Sequence, residues 1–120
     1  MTTILMVDDD DILLELYSEV LSEGFHVLIA RTVAEAIELL TIEKVDAVGC
    51  DYHLGHELGL DVVAWIDSYR NHLLATTMLI SGEPFPAMRG FHVRCLYKPV
   101  PMDELLNVFY TWFAPVTKGD

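Results

Sequence analysis

Apolar residues along this chain fall into five short runs. They are rich in Val, Ile and Leu and lack regular alternation with polar residues, which is typical of β-strands buried on both faces. The runs lie at Ile4–Val7, His26–Ala30, Ala47–Cys50, Thr77–Ile80 and Val93–Tyr97. The pattern therefore predicts five buried strands.

Between these runs, apolar residues recur at steps of three and four, the spacing of α-helices that pack on a core. Thr32 and Glu35 have the spacing of a capping box, which predicts the start of the second helix. A third helix is expected from about 60 to 69, and the last helix of the chain begins near Pro101. The stripe predicted for the first helix consists of Leu13, Leu16, Tyr17, Val20 and Leu21.

Strands that alternate with helices along the whole chain predict an α/β fold. Right-handed βαβ units give a five-stranded parallel sheet with helices on both faces, doubly wound in the order 2-1-3-4-5. At 120 residues we expect one domain, 1–120, with its core at about 3–113 and a short tail at 116–120. In such sheets the functional site lies beyond the carboxyl ends of the strands.

Charge and cysteine content narrow the classes of function. A net charge of -12 argues against direct binding to nucleic acid or to anionic membranes, so proteins and cations are the expected partners. The N-terminal run lacks a basic flank and is too short for a signal peptide or a membrane span, which predicts a cytoplasmic protein. Cys50 and Cys95 have no metal-binding spacing and are expected to be reduced core residues.

Five polar residues stand at the predicted carboxyl ends of the strands, namely Asp8, Asp9, Asp51, Ser81 and Lys98. Two like unit charges ~4 Å apart repel by about 4 kcal/mol at an effective dielectric constant near 20, so clustered carboxylates require a cation. Carboxylate and carbonyl oxygens suit Mg²⁺, and Mn²⁺ accepts the same ligands. These positions therefore predict a magnesium site.

The same residues fit phosphoryl transfer. A positioned carboxylate can form an aspartyl phosphate, which makes Asp51 the candidate nucleophile. Lys98 can neutralise the phosphoryl oxygens, and the Ser81 hydroxyl can donate a hydrogen bond to one of them.

From Thr3 to about Phe113 the chain resembles the response-regulator receiver family. The segments that carry the resemblance read ILMVDDD, DAVGCDYHLGHELGLDV, LISGE and LYKPV. The resemblance implies a flavodoxin-like receiver fold of two-component signalling, phosphorylated on Asp51 by a histidine kinase or phosphotransfer protein and read by a downstream protein partner. It adds the backbone carbonyl of His53 to Asp8, Asp9 and Asp51 as metal ligands. Such a protein modifies itself and is not a turnover enzyme.

Other positions take their expected roles from the same resemblance. His53 and Glu83 lie where side chains gate the access of water to the acyl phosphate, and Gly59 lies where the family has a glycine that opens the third helix. Cys95 stands where the family usually has an aromatic switch residue. Tyr97 lies on the same face of the strand and is expected to replace that switch in part.

One segment departs from the family. Only 17 residues separate Ser81 from Lys98, and they include Pro84, Pro86 and Gly90. We therefore expect the fourth helix of the receiver fold to be short, irregular or replaced by a loop.

Three other interpretations compete with the phosphorylated receiver: a pseudo-receiver, a transition-metal site and a phosphatase. A pseudo-receiver would keep the fold and bind partners without phosphorylation. His53, His56 and Glu57 could form a transition-metal site beside Asp51. Asp8 and Asp10 form the Asp-x-Asp pattern of haloacid-dehalogenase phosphatases, although the chain lacks a cap. A monomer or a weak dimer through the last helix is expected.

Overall fold

The computed structural model describes residues 1–84 and 86–113, and the predicted tail at 116–120 lies outside them. Its main sheet has five parallel strands, and two short strands form a separate antiparallel hairpin. The sheet strands are β1 (Thr3–Val7), β2 (His26–Ala30), β3 (Ala47–Asp51), β6 (Thr77–Ser81) and β7 (Arg94–Tyr97), and the hairpin strands are β4 (His53–Leu54) and β5 (Glu57–Leu58). The order β2-β1-β3-β6-β7 confirms the predicted 2-1-3-4-5 order of long strands and the doubly wound fold.

The described residues also form four α-helices and one 3₁₀-helix, of which all but the last α-helix lie between strands. They are α1 (Asp11–Leu21), α2 (Val33–Ile42), α3 (Gly59–Tyr69), α4 (Met102–Trp112) and the 3₁₀-helix Asn71–Thr76. Asp10 caps α1 by accepting the backbone N–H groups of Ile12 and Leu13, and Thr32 accepts the N–H of Glu35 at the start of α2, as the capping box predicted. No helix in the described part of the chain is long and apolar enough to cross a membrane.

The sheet separates two apolar cores. Helices α2 and α3 cover one face, and α1 and α4 cover the other. Side chains of β1 alternate between them, with Leu5 and Val7 in the first core and Ile4 and Met6 in the second. Gly49 leaves room for this packing, because a Cβ atom there would lie 2.7 Å from the sulfur of Met6.

The segment between β6 and β7 contains no helix in its described residues, 82–84 and 86–93, which we call the strap. Arg89 and Gly90 both have positive φ angles, of 52° and 84°, so the chain reverses there. The family's fourth helix is expected to be short, irregular or replaced by a loop, and the described residues confirm the last of these.

The apolar stripe of α1 differs from the prediction. Leu14, Tyr17 and Leu21 are buried, whereas Leu16 is 38% exposed. Leucines at 13, 14 and 16 allow more than one stripe with helical spacing, and the packing of α1 against β1 and α4 selects the one through Leu14.

This difference predicts unequal effects of two leucine substitutions. Leu14→Ala should lower the free energy of unfolding by about 3 kcal/mol, because it leaves a cavity in a core position that is 1% exposed. Leu16→Ala should lower it by less than about 1 kcal/mol. Urea unfolding followed by circular dichroism measures both, and equal losses would show that the assigned stripe is wrong.

Candidate functional site

The candidate site lies where the parallel strands end. Asp51 and Ser81 are the last residues of β3 and β6, while Asp8 directly follows β1 and Lys98 directly follows β7. The pairing of Val7 with Cys50 and of Asp51 with Ile80 keeps these ends level. The register of the sheet therefore brings the four polar side chains together at the carboxyl-terminal end of the strands.

At this end of the sheet, the ammonium group of Lys98 lies between two carboxylates. Lys98 Nζ is 3.2 Å from Asp51 Oδ2 and 3.7 Å from Asp8 Oδ2. Asp8 and Asp51 are buried, whereas Asp9 is exposed at the mouth of the site. Carboxylate oxygens of these three aspartates all lie within 4.8 Å of one another. The site therefore holds three close carboxylates against one ammonium group.

This crowding changes the protonation equilibria. Burial raises the pKa of Asp8 to about 6; the backbone N–H of Asp10 and the Lys98 ammonium oppose the rise, and the negative charges of Asp51 and Asp9 add to it. Burial also raises the pKa of Asp51, against the effect of Lys98. Burial alone would lower the pKa of Lys98, but Asp51 and Asp8 outweigh it and raise that pKa. Lys98 thus stays charged beside the carboxylates.

The chemistry of this cluster suits a hard divalent cation. Asp8 Oδ2 is the buried side-chain polar atom that lacks a hydrogen-bond partner among residues 1–84 and 86–113. An unpartnered buried carboxylate oxygen is costly, and coordination by a cation would satisfy it. The donor set, three carboxylates on one edge, therefore fits Mg²⁺.

Ser81 is hydrogen-bonded to the backbone of Glu83 in the unphosphorylated protein, and its expected donation to a phosphoryl oxygen stays a prediction. Its hydroxyl donates to the backbone carbonyl of Glu83 at 2.9 Å and accepts from the Glu83 N–H at 3.1 Å. The Glu83 carboxylate in turn contacts His53 Nε2 at 2.9 Å, both side chains being exposed. The two predicted modulators are thus joined across the mouth of the site.

Comparison with known proteins identifies this arrangement. The model of the family described as "Response regulator receiver domain" matches residues 4–110. The chain belongs to the response regulator receiver family. It is therefore a receiver domain of the kind found in two-component systems.

Individual relatives agree with the family match. The hydrogenase transcriptional regulatory protein HoxA of Bradyrhizobium diazoefficiens is 36% identical over 88% of this chain, and this receiver domain spans only 22% of HoxA. The signal receiver domain of an HD domain-containing protein from Pseudomonas fluorescens Pf-5 is 26% identical, with 94% of each chain covered and a TM-score of 0.83. TrrA of Thermotoga maritima, solved in complex with Mg²⁺-BeF, is 24% identical, with 92% of this chain and 98% of TrrA covered and a TM-score of 0.80.

Gly59 has a physical role in this receiver domain that its family position did not reveal. A Cβ atom there would overlap the carbonyl oxygen of Asp51 and would lie 3.0 Å from Cys50 Sγ. The Gly59 N–H donates to the Tyr52 carbonyl at 2.7 Å. Only glycine lets the first turn of α3 approach the backbone of Asp51 so closely.

Two predicted residues flank the site without entering it. Cys95 is partly buried beneath the strap, with its sulfur 3.8 Å from that of Met88. Tyr97 is 49% exposed on the edge strand β7. Their expected part in a conformational switch stays a prediction.

The residues of the competing sites have other partners. Glu57 accepts the N–H of Val33 at 3.3 Å at the start of α2, and His53 contacts Glu83. Within the described chain, the three aspartates are the group of His, Cys, Asp and Glu close enough to share a metal, so the transition-metal site is not assembled. The carboxylate of Asp10 caps α1, which leaves it poorly placed to act as the acid of a dehalogenase-type phosphatase.

The close approach at Gly59 predicts that Gly59→Ala displaces the Asp51 backbone. The free energy of unfolding should fall by about 3 kcal/mol, because the added methyl group overpacks a site bounded by backbone. Gly82→Ala is the matched control, since a Cβ atom there meets nothing within 4 Å, and its effect should stay within about 0.5 kcal/mol. Urea unfolding measures both variants, and equal stabilities would contradict the account of Gly59.

The raised pKa of Asp8 predicts a pH-dependent effect of Asp8→Asn in metal-free protein. Below about pH 3 the carboxyl is protonated in both the folded and unfolded states, so the substitution should change little. As pH rises from the ordinary pKa of 3.8 to the folded pKa of about 6, the wild type progressively loses stability that the variant keeps, because its buried carboxyl must ionise. At pH 7.5 in EDTA the variant should be more stable by about 3 kcal/mol in urea unfolding. A less stable variant at that pH would contradict the assigned cost of burying this charge.

Proposed function

We propose that this receiver domain is a Mg²⁺-dependent phosphorylation switch that accepts a phosphoryl group on Asp51 from a histidine kinase or phosphotransfer protein. The supporting observation is the buried Asp51 carboxylate, with the Lys98 ammonium 3.2 Å away and the carboxylates of Asp8 and Asp9 beside it. A nucleophile, a fixed positive charge and a cation-binding group thus meet at one point.

The proposed metal ligands are Asp8, Asp9, Asp51 and the backbone carbonyl of His53. When bound, Mg²⁺ supplies positive charge that offsets the carboxylates and the phosphoryl oxygens, and Mn²⁺ would serve the same purpose. The complex of TrrA with Mg²⁺-BeF supports this proposal by likeness of fold.

Three residues of the chain then have separate roles in the reaction. A carboxylate oxygen of Asp51 attacks the phosphorus while the bond from phosphorus to the donor nitrogen breaks, and the electron pair of that bond stays on the donor's imidazole. Lys98 neutralises charge on the transferred oxygens, and the Ser81 hydroxyl donates to one of them. Ser81 has a single proton, so this donation requires it to leave the carbonyl of Glu83.

The product is a changed protein and not a released compound. Hydrolysis of the acyl phosphate returns the Asp51 carboxylate and inorganic phosphate, so the domain cycles between two states without being a turnover enzyme. A downstream protein that binds one state better than the other would read the signal.

The pseudo-receiver has one observation in its favour. The strap replaces a helix that belongs to the surface through which receivers meet partners, so the output differs from the family pattern even though the acidic site is intact. In this alternative the domain binds its partner without phosphorylation. The test of phosphorylation separates the two functions.

Intact mass spectrometry tests the proposed function. Incubation with Mg²⁺ and a small acyl phosphate should add the mass of one phosphoryl group to the wild type, and the addition should disappear in Asp51→Asn or in EDTA. Asp67→Asn, at the far end of α3, is the matched control and should be modified like the wild type. An unmodified wild type, under conditions that phosphorylate another receiver, would favour the pseudo-receiver.

A further inference from the structure

The described residues of the strap form no helix, although the Phe91 N–H donates to the Met88 carbonyl at 3.0 Å within a turn. The position of the strap on the domain therefore depends on side-chain attachments. Met88, Phe91 and Val93 pack on the core shared by α2 and α3. Arg89 approaches Asp61 at 3.8 Å, an exposed pair that contributes little. Glu83 is attached to Ser81 and His53 at the mouth of the site. These contacts leave the middle of the strap in need of a specific anchor.

Tyr52 supplies that anchor. Its hydroxyl donates to the backbone carbonyl of Ala87 at 2.6 Å, and the residue is 4% exposed. Its own backbone is fixed on both sides, since its N–H donates to Ile80 at 2.8 Å and its carbonyl accepts from Gly59. Tyr52 directly follows Asp51 and has a fixed backbone, so its hydroxyl ties the strap to the backbone of the site.

We propose that Tyr52 is a positioning residue of the phosphorylation site, which holds the strap, and with it Glu83, over Asp51 in place of the missing helix. This inference rests on the proposed function for its effect on the acyl phosphate. The hydrogen bond from Tyr52 to Ala87, which we call the tether, is a property of the unphosphorylated protein. Glu83, the second residue of the strap, lies beside the site through its contacts with Ser81 and His53, and the strap is tied at Ala87. Loosening that tie should therefore loosen the segment next to the mouth of the site.

The two cysteines of this chain provide a built-in probe of the tether. Cys95 lies against Met88 of the strap, and Cys50 is fully buried in the core. Loosening the strap should expose Cys95 and leave Cys50 protected. Unfolding of the whole domain would expose both.

The experiment compares the rates at which N-ethylmaleimide labels the two cysteines in wild type and Tyr52→Phe, read by peptide mass spectrometry. The variant keeps the ring and loses the hydrogen bond, so Cys95 should react about fivefold faster, the factor equivalent to a net hydrogen bond of about 1 kcal/mol. Cys50 should stay unreactive. Tyr69→Phe, which removes a hydroxyl from a side chain that is 64% exposed, is the control and should leave both rates unchanged.

An unchanged Cys95 rate in Tyr52→Phe would overturn the tether. So would an equal increase for Cys50, because it would show a loss of stability in the whole domain and no specific effect on the strap. Both outcomes are measured on the unphosphorylated protein, so they test the tether even if the proposed function is wrong.

A second measurement tests positioning at the site. After phosphorylation and removal of the donor, the Asp51 phosphate should hydrolyse severalfold faster in Tyr52→Phe than in wild type, because Glu83 no longer restricts water. Phosphoryl acceptance itself should persist, since Asp51 and Lys98 are untouched. Equal lifetimes with a loosened strap would show that Tyr52 is only structural, and absence of acceptance by the wild type would refute the proposed function instead.

Discussion

Repulsion among three carboxylates is the constraint on which this structure depends. Asp8, Asp9 and Asp51 place carboxylate oxygens within 4.8 Å of one another, and Lys98 is the ammonium between two of them. Burial is the largest cause of the raised pKa of Asp8, and the negative charges of Asp51 and Asp9 add to it. The close, buried carboxylates lower the stability of the domain, and in the proposed function a cation or a phosphoryl group uses this to change the equilibrium between two states.

The scaffold keeps these charges together by backbone contacts. Parallel pairing aligns the ends of β1, β3 and β6, which holds the backbones of Asp8 and Asp51 at neighbouring positions. On the other side of Asp51, α3 begins at a glycine that touches the Asp51 backbone. Asp51, the proposed nucleophile, is therefore fixed between a strand and a helix, which suits a group that must be aligned with an incoming phosphoryl donor.

The sheet could be predicted from the sequence because its strands are continuous apolar runs. The cluster of aspartates could be predicted because residues that follow neighbouring parallel strands lie close together. Pro84, Pro86 and Gly90 in a short interval predicted a short, irregular or missing helix before β7. The stripe predicted for α1 contained Leu16 and not Leu14, because adjacent leucines fit two helical stripes equally. The hydrogen bond from Tyr52 to Ala87 joins residues 35 positions apart and leaves no local pattern, and the reason for Gly59 appears only when the Asp51 carbonyl is seen against it.

The most direct test of this account is the free energy of unfolding of the unphosphorylated domain as a function of Mg²⁺ concentration at pH 7.5 and constant ionic strength. Relief of the repulsion predicts that stability rises with Mg²⁺ and, above the dissociation constant, by about 1.4 kcal/mol for each tenfold increase. Asp8→Asn should show a much smaller rise. A stability that does not respond to Mg²⁺, or that responds equally in the variant, would contradict the claim that the three carboxylates form a cation site.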